Sequence, residues 1–283
     1  MFFAWIASVV YGVNSVIGKL TIKHAIANAW LFNFVWQLFI LIGLVPLALA
    51  YHVQMPTAWG SMIIAGILAF LVGTLFILAL KQLDVSVLGP LYNFRSVFTA
   101  LIGAAFLSEV LTSNQYFLIA VIFVSGIFLN VDEHLKLKAF FRKQSMLGIF
   151  TVFVSAIFGF AVKTAVAQNG FWATSLWMQI ISQILLLGTI PLFYKDLLVT
   201  PLIKYSGAIL MGFLNTIGDL AANKAFSANV TISSAIISIP FSMIIAFAFS
   251  VFAPKLLEKH TLKIYAIRFI AAAVMIIAAI KLS

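Results

Sequence analysis

Apolar residues run along this chain in long blocks separated by short polar breaks, without the alternation of barrel strands. Ten blocks meet or approach the ~20 residues that a helix needs to cross a ~30 Å hydrocarbon core. They lie at roughly 2–22, 29–50, 58–80, 85–107, 114–131, 145–166, 172–194, 204–226, 230–252 and 262–281. Several cuts are only a few residues long. Lys81-Gln-Leu-Asp84 divides the third span from the fourth, and Ser227-Ala-Asn229 the eighth from the ninth. Backbone polar groups cannot go unpaired in lipid, so the blocks are predicted to be helices. The expectation is an all-α integral membrane protein with ten transmembrane helices.

Composition supports this choice of solvent. Of 283 residues, 64% are hydrophobic and 8% charged, whereas a soluble domain is about half apolar and a quarter charged. That excess of apolar residues excludes a soluble enzyme and a secreted disulfide scaffold. The net charge of +10 would otherwise suggest nucleic acid, but the basic residues gather in the loops. The chain has no cysteine, so thiolate chemistry is absent and the redox compartment stays open. The first span lacks a charged leader and is too long for a signal h-region, so no cleavable signal is expected.

Loop charge gives an orientation. Loops after odd-numbered spans, with the adjoining helix ends, hold twelve basic residues: Lys19, Lys23, Lys81, Lys136, Lys138, Arg142, Lys143, Lys195, Lys204, Lys255, Lys259 and Lys263. The other side holds Lys224 and Lys281. Odd loops are thus expected in the cytoplasm and both termini outside. The longest loop, 131–144, mixes leucine, phenylalanine and lysine and is expected to lie at the interface.

Self-comparison exposes a repeat. LIGLVPL at 41–47 matches LLGTIPL at 186–192, an offset of 145, and Gly73 matches Gly218 at the same offset. Asp84-Val-Ser-Val87 likewise matches Asn229-Val-Thr-Ile232. Ser8, Tyr11 and Gly12 match Ser155, Phe158 and Gly159 at offset 147. Glu109, Thr112 and Tyr116 match Glu258, Thr261 and Tyr265 at offset 149. The order and near-constant offset point to duplication: a first five-helix repeat in 1–131, a connecting loop at 132–144, and a second repeat in 145–283. Five spans is an odd number, so the second copy enters from the opposite side. Inverted repeats of this kind are a transporter architecture with the substrate site at the repeat interface.

With these residues in place the chain resembles the drug/metabolite transporter superfamily, in its ten-helix EamA-like branch. The likeness rests on Tyr11-Gly-Val-Asn14 through Lys19, Ala79-Leu80, Gly89-Pro90, and Leu107-Ser-Glu109 followed by Gly126. The second half repeats Phe158-Gly159 and Glu258, without a glycine matching Gly126. The resemblance implies a membrane transporter, commonly an exporter, of small solutes such as amino acids, related amines or organic ions. A bacterial inner (plasma) membrane is the location it suggests. Two features depart from the family. Its members usually keep both termini in the cytoplasm, and its small four-helix multidrug relatives carry a glutamate in the first helix, where Ser8 to Lys19 hold no acid.

Ionisable groups deep in a span are functional candidates. Asp219 is the acid well inside a span, and Asn215, Asp219 and Asn223 recur at spacing four on one helix face. Asp219 is a candidate for substrate-cation binding or proton coupling. The alternative is a stripe satisfied by neighbouring helices. Tyr92, Arg95 and Thr99 share a face of the fourth span, and Arg95 could hold a carboxylate or phosphate through its planar fork or pair with Asp219. Lys163, Lys224 and Arg268 are expected to snorkel. Asn14, Trp36, Gln37, Trp177, Gln179 and Gln183 are candidate aromatic and amide walls of a polar-solute pocket, against ordinary interhelical bonding. Ser234 and Ser238 are weaker candidates, and Glu109 and Glu258 read as structural.

The function these readings support is secondary active transport by alternating access. Expected contacts are a small-molecule substrate and membrane lipids, with possible proton coupling. No nucleic acid, cofactor or metal is expected, and the chain is a monomer or homodimer. A lipid or lipid-linked-sugar flippase of the same fold is the alternative. An enzyme is not expected: His24, His52, His134 and His260 lie in loops or at helix edges, and no glycine-lysine phosphate loop occurs.

Overall fold

A computed structural model describes the chain except for residues 84–87, 89–90, 107–110, 130–142, 253–261 and 283. Its helices are α1 (Phe2–His24), α2 (Ala29–Ala50), α3 (Trp59–Gln82), α4 (Phe94–Phe106), α5 (Ser113–Leu129) and α6 (Lys143–Asn169). Then follow α7 (Phe171–Leu187), the short α8 (Tyr194–Val199), α9 (Ser206–Ala228), α10 (Val230–Ile237), α11 (Phe241–Phe252) and α12 (Leu262–Leu282). Among the described residues, four helices are long and apolar enough to cross a membrane: α1, α2, α3 and residues Met146–Asn169 of α6.

Polar breaks become caps. Asn28 Oδ1 accepts from the N–H groups of Trp30 and Leu31, starting α2, and Asn229 Oδ1 accepts from Ile232 N–H at 2.8 Å, starting α10. Lys19 is not a loose cytoplasmic charge. Its Nζ donates to the carbonyls of Leu80 and Leu83 at 3.1 and 2.6 Å, at the C-terminal end of α3, where a cation suits the orphan acceptors and the dipole.

Three predicted spans differ from the observed helices. The ninth, read as continuous over 230–252, breaks at residues 238–240 into α10 and α11. Pro240 has no N–H to give and its ring displaces the preceding carbonyls. The fourth turns at Tyr92 and Asn93 before α4 begins. The seventh ends at Leu187, well short of 194, and passes through a 3-10 turn at Ile190–Leu192 that contains Pro191. After it, Leu198, Val199, Leu202 and Ile203 are 79%, 76%, 87% and 79% exposed. Such a run facing outward, flanked by Lys195 and Lys204, fits a segment lying in the interfacial layer of a bilayer. The interfacial segment expected at 131–144 falls almost wholly outside the described residues.

The helices of the two halves interleave. The contacts come in exchanged pairs: α1 on α9 with α3 on α6, and α2 on α9 with α3 on α7. α5 meets α12, and α2 meets α7. Small residues allow these crossings. A Cβ on Gly212 would come 2.5 Å from Phe39 Cβ and 2.9 Å from the Trp36 carbonyl, so α9 lies backbone-close to α2. Gly66 does the same for α3 against Ile181 of α7, at 2.6 Å.

Buried apolar residues form two clusters. One holds Ala4, Ala7, Met62, Ile122, Phe160 and Phe226. The other holds Val16, Phe32, Ile77, Leu80 and Met211. Along α1 the clusters are separated by buried Ser8 and Asn14, so a polar layer crosses the bundle between them.

Gly212→Ala is expected to destabilise the detergent-purified protein by about 1–3 kcal/mol through overpacking. Gly60→Ala, with nothing within 4 Å of its added Cβ, should leave the melting temperature unchanged. Equal melting temperatures for the two variants would contradict the close α2–α9 crossing.

Candidate functional site

The polar layer surrounds a cavity of about 150 Å³, roughly ten times the ~10–15 Å³ that one water requires. Its walls come from both halves. α1 supplies Ser8, Tyr11, Asn14 and Ser15; the break before α4 supplies Tyr92, and α4 supplies Arg95; α9 supplies Asn215 and Asp219. Trp36 and Phe76 from α2 and α3 add aromatic surface, with Ser155 and Phe158 from α6 and Phe226 from α9. The break in the ninth span closes the remaining wall with Ser238, Ile239 and Pro240.

Asp219 is held by two donors. Tyr11 Oη donates to Oδ1 at 2.8 Å and Asn215 Nδ2 donates to Oδ2 at 2.7 Å. Asn14 Nδ2 in turn donates to Asn215 Oδ1 at 2.8 Å. The spacing-four arrangement on α9 makes the Asn215–Asp219 bond possible, and the α1–α9 crossing brings Tyr11 and Asn14 to it. Bonds to a charged acceptor are stronger than neutral ones, and leaving a buried carboxylate unsatisfied costs about 1–3 kcal/mol or more. The chain therefore pins α1 to α9 at the cavity.

Arg95 is 4% exposed, yet its Nε and Nη2 have no hydrogen-bond partner. The guanidinium carbon lies 4.9 Å from the centroid of the Phe226 ring, a cation–π contact. No ion pair joins it to Asp219 among the described residues. Thr99 Oγ1 returns a bond to Arg95 O at 2.8 Å, and Thr231 Oγ1 donates to Thr99 O at 3.3 Å, tying α10 to α4. Asn14 Oδ1 and Trp36 Nε1 are also buried without partners. A set of buried, unsatisfied donors and acceptors around one cavity is what a polar ligand would complete.

Of the residues singled out from sequence, Asn14, Trp36, Tyr92, Arg95, Asn215 and Asp219 meet at the cavity. Gln37, Trp177, Gln179 and Asn223 do not line it. Gln179 bonds to Gln37 instead: Gln179 Nε2 donates to Gln37 O at 3.1 Å, and Ser182 Oγ donates to Gln37 Oε1 at 2.6 Å. Gln37 Nε2 donates to Asn33 Oδ1, and Asn33 Nδ2 to Thr74 Oγ1, joining α2, α3 and α7. Asn223 Nδ2 donates to Ser175 Oγ at 3.3 Å. Trp177 Nε1 donates to Gln54 O, and its ring packs on Trp59 at the edge of the bundle. Buried amides without water take neighbouring polar groups as partners, and that is the reason Gln37, Gln179 and Asn223 serve packing.

Sequence alone does not mark Tyr11, Ser8, Ile239 or Pro240 as site residues, whereas Ser238, a weaker candidate, does line the cavity. Tyr11 had a signal, since it lies one turn before Asn14 and Ser15 on the same helix. Ser8 Oγ bonds to the carbonyls of Ile237 and Ile239 at 3.3 and 3.4 Å, taking up acceptors that the break frees. Glu109 and Glu258 lie outside the described residues.

No curated protein matches the sequence. A solved structure, described only as the crystal structure of a protein, superposes on 96% of this chain and 94% of its own with a TM-score of 0.63 at 12% identity. At that identity the likeness concerns the fold alone. Residues 1–131 match the EamA-like transporter family, in agreement with the resemblance read from the sequence. Residues 1–131, just under half of the chain, thus resemble a transporter family, and among the described residues four helices are long and apolar enough to cross a membrane.

Proposed function

We propose that the protein is a secondary active transporter of small polar metabolites, of the amino acid, amine or organic-ion class, that works by alternating access as an exporter. The observation that carries the reading is the cavity between the halves, with Asp219 and Arg95 on its walls. Exchanged helix contacts support two inverted five-helix repeats, because such pairs allow the halves to swap conformations and open the cavity to opposite sides. Asp219 would bind a substrate cation or carry a proton. A proton taken up there would weaken the acceptor for Tyr11 and Asn215 and loosen α1 from α9. Tyr92, Asn14 and Trp36 would shape the pocket. Transport would need no partner beyond the membrane.

Proteoliposomes holding a pH-sensitive dye test the reading with a panel of amino acids, amines, nucleosides and organic acids. The expected result is solute-dependent proton flux that Asp219→Asn abolishes and Tyr11→Phe reduces by about tenfold, the worth of one charge-assisted bond. Solute flux without proton flux would remove Asp219 from coupling while keeping transport. If no panel member moves but labelled lipids cross, the flippase reading takes its place.

The expected orientation, both termini outside, is open to a separate test. With no native cysteine, Gln54→Cys in intact cells should react with a membrane-impermeant maleimide, and Lys195→Cys should react only after permeabilisation. The opposite pattern would invert the topology.

A further inference from the structure

Two helices, α4 and α11, start at the same cavity. α4 begins just after Tyr92 and Asn93, and α11 just after Ser238, Ile239 and Pro240; Tyr92, Arg95, Ser238, Pro240 and Ser242 all line it. A helix start carries roughly +0.5 of an elementary charge and unpaired N–H groups. At α11 the cap position is Pro240, which has no side-chain acceptor to offer. The Phe241 N–H is taken up by Ile239 O at 2.9 Å, and Ser242 beside it is buried, at 3% exposure. Gly12 of α1 faces this turn so closely that a Cβ would lie 2.6 Å from Phe241 Cβ and 2.9 Å from the Ser242 nitrogen. A larger residue at position 12 would fill the space in front of the turn.

A helix start alone would mean little. Here the first turn of α4 adds Arg95, buried, facing the cavity, with Nε and Nη2 unpartnered. Fixed positive charge thus converges from α4 and α11, while the carboxylate in the cavity, Asp219, already accepts from Tyr11 and Asn215. We propose that the cavity contains a dedicated carboxylate subsite, formed by Arg95 and the first turn of α11 with Ser242 as side-chain donor. The guanidinium fork would take the two oxygens of the carboxylate or share them with the α11 amides. Asp219, set apart from Arg95, would face the rest of the solute and accept an amino group where one is present. This rests on the reading of the cavity as a solute site and narrows that reading to solutes bearing a carboxylate.

Four compounds on one skeleton separate the contributions: valine, isovalerate, valinamide and isobutylamine. Binding to the full-length protein in detergent is read as the rise in unfolding temperature with concentration, and transport as uptake into proteoliposomes. Valine and isovalerate are expected to bind, and valinamide and isobutylamine to bind about tenfold more weakly or not at all. Arg95→Gln should abolish the preference for carboxylates, Arg95→Lys should retain part of it, and Ser242→Ala should weaken isovalerate by a few-fold. Each variant's unliganded unfolding temperature shows whether it is folded, and Ser242→Ala removes too little to unfold the bundle. Equal binding of amide, amine and carboxylate, or unchanged isovalerate binding in folded Arg95→Gln, would overturn the subsite, as would no binding by any of the four. Carboxylate binding without movement of any compound would keep the subsite and remove the transport reading. Movement of the amine with no carboxylate preference would do the reverse.

Discussion

A carboxylate inside a membrane-spanning bundle persists only where donors replace the water it has lost, and here those donors come from two helices of opposite halves. Tyr11 and Asn215 take up the two oxygens of Asp219, and Asn14 fixes Asn215 from behind. Desolvation makes each of these bonds worth more than it would be on a surface, and makes a missing one expensive. The register of α1 against α9 is thereby set at the cavity. Apolar clusters lie on either side of that layer along the bundle, and aromatic rings of Trp36, Phe76 and Phe226 line the cavity walls.

The helix breaks follow from the same need. A continuous ninth helix would present only side chains to the cavity, whereas the interruption at 238–240 exposes backbone there and leaves carbonyls to be satisfied. Ser8 meets that demand from α1, so one helix serves both the carboxylate and the break. Gly12 makes the close approach possible on the next turn. The aromatic-glycine pair of the first half thus has a physical role: its tyrosine holds Asp219 and its glycine admits the start of α11. In the second half, Phe158 lines the cavity, and a Cβ on Gly159 would lie 3.5 Å from Arg95 Nη2. The same motif faces the broken span of the opposite half in both cases.

Much of this was legible in the sequence, for reasons that can be named. Length and apolarity place α1, α2, α3, α5, α6, α9 and α12 within a few residues of the predicted spans, because the bilayer sets their length. Stripes at spacing four bring out Asn215 and Asp219, and depth within a span brings out Arg95. Pro240 and Pro191 were visible as proline in apolar runs, but hydropathy alone carried the reading through them. Which polar groups face a cavity and which face each other was not legible. Gln37 and Gln179 lie in different helices, and their mutual bond depends on the α2–α7 crossing. Tyr11 is a donor to Asp219 only because α1 crosses α9 at that height, a relation between residues 208 apart in the chain.

Alternating access requires that this one cavity be reached from both faces of the membrane in turn. The absence of native cysteine makes Ser155→Cys, in the cavity wall, the single thiol of its protein. Its modification rate by a small membrane-impermeant thiosulfonate should be measured in right-side-out and inside-out vesicles, with and without a transported solute. Alternating access predicts reaction from both sides and protection by solute on each. Reaction from one side only, under every condition, would contradict it.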